Sequence, residues 1–431
     1  MVMAMVMAMA SDTAKTLLRN ESMQTPRLKF AVALKLTACL LVGSAAFQAW
    51  DTSNRASADS FEQTEGYKVY PDDAQAASAA FAWQLEQNSN FTLDDHDVAN
   101  ARSALVRRPL SATLLSFLAV RSEKDSDTVE ADQIMRLADR VTRRDIIAQL
   151  WLIERAVTNG DVTAAVRHYN AAMSINPELT TTLIPIIASA ISSPEVRSAI
   201  RPYIAQHAIW GPALVEKVSE DASAQDIGAF AILIAQNLSS PEYTRARSAI
   251  IMALALNGKA DLALSLASKM IPDITPSAFR NFAMSASTVD PRMGSLACTM
   301  PQTDLVSSSL GEGGVLAAEI RPLGSGTLAT RDILVHPKAK YQFLQTLSYA
   351  AATSRAQMSW SAACVRRAGI ETVWSQTIAI KSQKITSRYL INIPEQCYLM
   401  RFTASVIAAD TQQQSDLEVS DLELKRLFSA D

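Results

Sequence analysis

The side chains best suited to chemistry are few in this sequence, and their spacing does not favour it. There are four histidines, His96, His168, His207 and His336. A helical metal site needs a second ligand about four positions away, and His168 and His207 have none there. The run Asp94-Asp95-His96-Asp97 gathers metal-ligating types, but adjacent residues at a helix start point in different directions. A helix cap at Asp94 or Asp95 is the expected role. Of the four cysteines, no two are close enough for a zinc knuckle. GEGG (311–314) and GSG (324–326) lack the strand-to-helix setting and the lysine of a phosphate cradle. No G-x-S-x-G elbow occurs. Acidic residues are scattered, so a carboxylate pair for glycoside chemistry stays open, since such a pair need not be local in sequence. The expectation is a protein with no catalytic residue, no metal and no cofactor, working by contact. The alternative is a polysaccharide-active hydrolase or lyase with an accessory module.

The elements that would position any such contact follow from the composition. The chain has 431 residues, 48% hydrophobic, enough for two or three domains with ordinary cores. Its 40 basic and 43 acidic side chains nearly cancel, which removes any global pull toward nucleic acid. Only 13 residues are glycine, about 3% against a usual ~7%, which favours helices over a wholly β chain. The fold class expected is multidomain α plus β.

Residues 1–29 are expected in the cytoplasm, with Met23 as the initiator in place of the methionine-rich start. Arg27 and Lys29 precede an apolar run over 30–50, and the flank beyond is acidic on balance. That order puts the N-terminus inside and the remainder outside. The run is about 31 Å long as a helix, enough to span a bilayer. A signal-anchor is expected; cleavage after Ser44-Ala45-Ala46 and a lipobox ending at Cys39 are the alternatives. The localisation implied is the inner membrane, single-pass, with the bulk periplasmic. Residues 51–70 read as a linker.

From 71 to 286 the pattern is helix, short turn, helix. In "NGDVTAAVRHYNAAMSINPE" (159–178), Ala165, Tyr169 and Ala172 share one helical stripe, and Pro177 stands where the helix should stop. Upstream, Ile146, Gln149, Leu150, Ile153 and Val157 form a companion face, so Asn159-Gly160-Asp161 joins an αα-hairpin. A second Asn-Gly turn at Asn257 lies about 98 positions on, close to three periods of ~34. This resembles tetratricopeptide or related helical repeats over roughly half the chain. Ala165, Tyr169, Ala172 and Pro177 match the family's second-helix positions. Gln149, Leu152, Ile153 and Ala156 depart from its first-helix tryptophan, leucine-glycine and tyrosine. The resemblance implies stacked hairpins with a groove for a protein partner. Trp83, Trp151, Tyr169 and Trp210 are the candidates to line it, and the packed core is the competing place for each.

After about 290 the period changes to alternation. Eight strands are expected, at 314–320, 327–335, 340–349, 356–364, 371–380, 388–394, 397–408 and 417–427. They suggest an antiparallel β-sandwich over 290–428. The runs "LVHPKAKYQF", "MSWSAAC" and "LINIPEQCYLMRF" resemble jelly-roll modules of carbohydrate-binding proteins, which implies a polysaccharide contact. Cys364 ends one strand and Cys397 begins another. In an oxidising compartment they are expected to pair, with two buried thiols as the alternative. Taken together, the sequence reads as a membrane-anchored envelope scaffold, with a protein partner on its helices and a glycan on its sandwich. A part in polysaccharide synthesis or export would suit that architecture.

Overall fold

The computed structural model describes residues 77–78, 80–81, 93–282, 285, 287–349, 356–380, 383–408 and 415–427. The expected segment 1–29, the apolar span 30–50, the linker 51–70 and Trp83 lie outside the described residues. Among the described residues no helix is long and apolar enough to cross a membrane. The chain divides into two compact units, residues 1–214 and 215–431.

The first unit is helical. Its elements are α1 (Asp95–Arg107), α2 (Ala112–Lys124), α3 (Thr128–Val141), α4 (Ile146–Thr158), α5 (Val162–Ile175), α6 (Thr180–Ser189) and α7 (Pro194–Ala205). Asp94, Asp127, Asp145 and Asp161 each precede a helix and accept the backbone N–H three residues on. Each such cap stabilises its helix by about 1 kcal/mol. Asp94 and Asp97 of the DDHD run form a reciprocal capping box, but the run does not point apart as expected, since ligand-type atoms of Asp94, His96 and Asp97 lie within 4.8 Å of one another. Helices α2, α3 and α4 share a core that includes Ala112, Ala119, Ala131, Ala138 and Ala148, small enough for backbones to approach. The α4–α5 hairpin closes as expected. Gly160 takes φ +72° and donates to Val157 O (3.0 Å), while Asp161 N donates to Ala156 O (2.8 Å). Glycine meets that left-handed turn without steric cost. Ala165, Tyr169 and Ala172 form the buried stripe that the spacing predicts.

Helix α8 (Gly211–Asp221) spans the division between the units. The second unit continues with α9 (Ala224–Ile234), α10 (Thr244–Leu256) and α11 (Ala260–Met270), the last two forming the hairpin expected at Asn257-Gly258. The sequence places its boundary near 290, but the unit holding the sandwich starts at 215. The segment between helices and sandwich is tied to both, which accounts for the difference. Arg247 on α10 is buried and donates to Leu238 O (2.6 Å), Ser240 O (2.7 Å) and Arg292 O (3.1 Å). Phe282 is fully buried in the sandwich core, its ring 5.0 Å from Phe402 and 5.4 Å from Trp360. Arg331, also buried, donates to Ala278 O.

The sandwich has strands β1 (Val306–Leu310), β2 (Leu316–Ile320), β3 (Ser325–Leu334), β4 (Lys340–Tyr349), β5 (Gln357–Arg366), β6 (Gly369–Ala379), β7 (Ile385–Asn392), β8 (Leu399–Ile407) and β9 (Ser415–Leu427). One sheet runs β1-β2-β9-β4-β7 and the other β3-β8-β5-β6, with every strand pair antiparallel. All eight expected strands are present. The ninth, β1, has the sequence VSSSL, too polar to signal a strand. Its buried Ser308 satisfies its hydroxyl on Leu328 O (2.6 Å). Cys364 and Cys397 are disulfide-bonded, as expected, with Cα atoms 5.6 Å apart. Cys298 is a buried thiol outside that bond, its pKa pushed up to about 11 by burial.

Candidate functional site

The sheet order decides which side chains meet. β6 is an outer strand of one sheet and β7 an outer strand of the other. Period-2 alternation sends Trp374, Gln376 and Ile378 of β6 toward the space between the sheets, because they pair with the inward Ala362, Trp360 and Met358 of β5. On β7 the inward set is Ser387, Tyr389 and Ile391, opposite Gln345, Phe343 and Tyr341 of β4. Across the gap the rings of Trp374 and Tyr389 stand 5.6 Å apart at 52°. Both are half-buried, as are Gln376 and Ser387 beside them, so this end of the core is open.

Beneath this mouth lies an uncommon group for a core. Gln345 is fully buried. Its Oε1 accepts from Trp360 Nε1, which fixes the amide orientation and leaves Nε2 without a protein partner among the described residues. An unpaired buried donor costs roughly 1–3 kcal/mol, so its retention marks a place where a polar ligand would restore a hydrogen bond. Two aromatic faces, a serine hydroxyl and amides at one opening can hold a molecule with apolar faces and a hydroxylated edge. Each of these groups is uncharged.

The outer face of the β3-β8-β5-β6 sheet adds a second uncharged surface. Registers align Thr327, Ser405, Ser359 and Thr377 across the four strands, and Thr330, Thr403, Ser361 and Ser375 in the next row. Strands lie about 4.8 Å apart and successive residues on one face about 6.8 Å apart, so the hydroxyls form a regular grid. Among the described residues none of these hydroxyls is hydrogen-bonded to protein. The next row ends the pattern with Asp332 and Arg401, joined by two hydrogen bonds of 2.8 Å each.

In the helical unit the aromatic candidates are interior. Trp151 is 5% exposed, Tyr169 5% and Trp210 1%. Trp151 donates to Glu123 and carries the Arg155 guanidinium 4.6 Å above its ring, and Trp210 donates to Asn170 Oδ1 (3.0 Å). Each ring is spent on packing because it sits on the helix face that meets its neighbours. Tyr169 alone borders a cavity, of about 670 Å³, together with Val166, Ile187 and Val196.

The helical surface does carry a polar cleft, of about 770 Å³, bordered by Arg143, Arg144, Arg167, Asp139, Asn170 and Tyr203. A one-way chain of hydrogen bonds runs beneath it. Arg167 donates to His168 Nε2 (3.0 Å), His168 Nδ1 to Gln149 Oε1 (2.8 Å), and Gln149 Nε2 to Asp139 Oδ1 (2.7 Å). A guanidinium can only donate, so His168 is neutral with its proton on Nδ1. Burial, then Arg167, pushes its pKa down to about 4, in keeping with that form. Sequence spacing could not reveal this set, since the partner of His168 lies 19 positions away on another helix.

No family model and no curated protein matches the chain. Solved structures similar to it include a carbohydrate-binding module described as CBM4, at 10% identity and TM-score 0.22, covering 36% of this chain and 99% of that one. A family 16 carbohydrate-binding module-2 matches at 11% identity and TM-score 0.22, over 29% of this chain and 88% of that one. TmCBM61, in complex with β-1,4-galactotriose, matches at 11% identity and TM-score 0.24, over 34% and 99%. At such scores these likenesses carry no argument about the ligand of this chain, whose sandwich is defined by its own strands.

Proposed function

We propose that the chain is a non-catalytic scaffold of the cell envelope, tethered through residues 30–50, whose sandwich binds a neutral glycan at the β6–β7 mouth. On this reading its helical hairpins, a degenerate tetratricopeptide-like array, hold a protein partner, and the pair of contacts serves polysaccharide synthesis or export. The observation that carries the glycan reading is the Trp374–Tyr389 pair, half-buried at an opening above the unpaired amide of Gln345. A pyranose offers apolar C–H faces to such rings and hydroxyls to such amides. The neutral hydroxyl grid beside the mouth suits the same class of ligand, because hydroxyls both donate to and accept from the hydroxyls of a sugar.

Among the described residues the buried carboxylates are Asp145 and Asp332. Asp145 caps α4 and accepts from Ser116 (2.8 Å), and Asp332 is held by Arg401. Both are occupied by structure.

The test is affinity electrophoresis of the full chain through gels containing neutral β-glucan, xylan or galactan. Retardation by at least one polymer is expected, and Trp374→Ala should abolish it while the thermal transition is kept. An unretarded wild-type chain in every gel would overturn the reading, as would a Trp374→Ala variant retarded like the wild type.

A further inference from the structure

The polar cleft of the helical unit has a charge imbalance that its own residues do not resolve. Arg143, Arg144 and Arg167 are all exposed and border one cavity, against the single carboxylate of Asp139. Among the described residues none of the three guanidinium groups makes an ion pair. Asp139 already accepts from Gln149. Three like charges in one concavity repel each other and concentrate field lines in it, which favours an anionic occupant. Each guanidinium also presents a planar fork of donors suited to a carboxylate.

Two further features narrow the occupant. Asn170 gives its Oδ1 to Trp210, so its Nδ2 remains as a donor at the cleft, suited to a backbone carbonyl. Ala171, Ile175 and Tyr203 border the same cavity and offer apolar surface. Tyr203 also borders a second hollow, of about 740 Å³, bounded by Thr163, Pro194, Ser198 and Pro202. A cleft with cationic, amide and aliphatic surfaces matches a chain that alternates acids with apolar side chains. A uronate polymer would satisfy the arginines, but it has no aliphatic side chain to cover Ala171 and Ile175.

We propose that this cleft binds an acidic, partly apolar peptide segment of a partner protein, with Arg143, Arg144 and Arg167 receiving its carboxylates. His168 acts as a positioning residue, since it holds Arg167 through its Nε2. The inference rests on the reading that the helical hairpins hold a protein partner, and it specifies the chemistry of that partner.

The experiment uses the full chain and a short fluorescein-labelled peptide of alternating Glu and Leu, followed by fluorescence anisotropy. A Lys/Leu peptide and oligogalacturonate are run in parallel. Saturable binding of the Glu/Leu peptide is expected, weakening as salt rises, with little binding of the other two. Arg167→Gln and Arg143→Gln should each weaken it about tenfold or more, while Arg167→Lys should restore part of the loss. Equal binding by the wild type and the arginine variants, or tighter binding of oligogalacturonate, would overturn the proposal. A cross-linked partner retained by both wild type and the Arg143→Gln/Arg167→Gln pair would leave the scaffold reading intact and refute this site alone. A wild-type chain that captures no partner at all would refute the scaffold reading as well.

Discussion

The disulfide gives the sharpest quantitative expectation. Cys364 and Cys397 close a loop with a sequence separation of 33. Loop-closure entropy for that length corresponds to about 4 kcal/mol at 25 °C. The bond joins Cys364, near the end of β5, to Cys397, just before β8, both within the unit of residues 215–431. For a domain of that size each kcal/mol moves Tm by roughly 2–4 °C, so its loss should lower the transition of this unit by about 8–16 °C. The perturbation is the Cys364→Ala/Cys397→Ala pair, with reduction of the wild type as a second route to the same state. Calorimetry of the full chain gives the shift, and hydrogen exchange near each midpoint assigns every transition to its unit. Cys298 acts as an internal control. It is buried and its thiol titrates near 11, so it should stay unlabelled by iodoacetamide at pH 8 until that unit melts. An unmoved transition in the double variant would refute the loop-entropy argument. An equal shift in the helical unit would refute the assignment of the bond to one cooperative block.

The remaining expectations concern charge and backbone. His168 titrates near 4 in the folded chain against an ordinary ~6.5, so between these values the unfolded chain binds a proton that the folded chain refuses. Stability should therefore fall as pH drops from 6.5 toward 4, with a slope of up to about 1.4 kcal/mol per pH unit. Urea melts of wild type and His168→Gln should differ in that slope, and parallel curves would count against the buried neutral imidazole. Gly160→Ala should cost about 1–2 kcal/mol for its left-handed φ alone, since no atom lies near its Cβ position. Gly258→Ala carries the same strain and would also press on the Tyr398 ring at 3.2 Å, so a smaller loss there than at Gly160 contradicts the packing.

Much of the fold was legible because two periodicities are strong in the sequence. In β4, Tyr341, Phe343 and Leu347 share the inward face, and the strand runs over Lys340–Tyr349, the residues expected for it. The αα-hairpin at Gly160 was legible for a local reason too, since turn, cap and stripe lie within twenty residues. What the sequence hid depends on distance. Trp374 and Tyr389 come from two outer strands of different sheets, and only the strand order brings their rings together. Gln345 occupies an inward position where alternation expects an apolar side chain, and reads in sequence as an ordinary polar residue. Arg143 and Arg144 look like a solvated pair at a helix end until α5 brings Arg167 to the same cleft. Aromatics on the helices misled for the opposite reason. Trp151, Tyr169 and Trp210 are large enough to contact a ligand, yet the same size makes them the best filling for a core assembled around alanine.

The sandwich is also defined by a bond pattern it leaves unmade. β6 and β7 approach each other as free margins of separate sheets and exchange no ladder hydrogen bonds. Were they to zip together, the two sheets would become one continuous cylinder on that side, and Trp374 and Tyr389 would be sealed within its wall. The opposed rings, packed on the core beneath them, help fill the space between the two sheets. Trimming either ring should do more than remove a contact surface: it would let the gap narrow and change the shape of the opening itself.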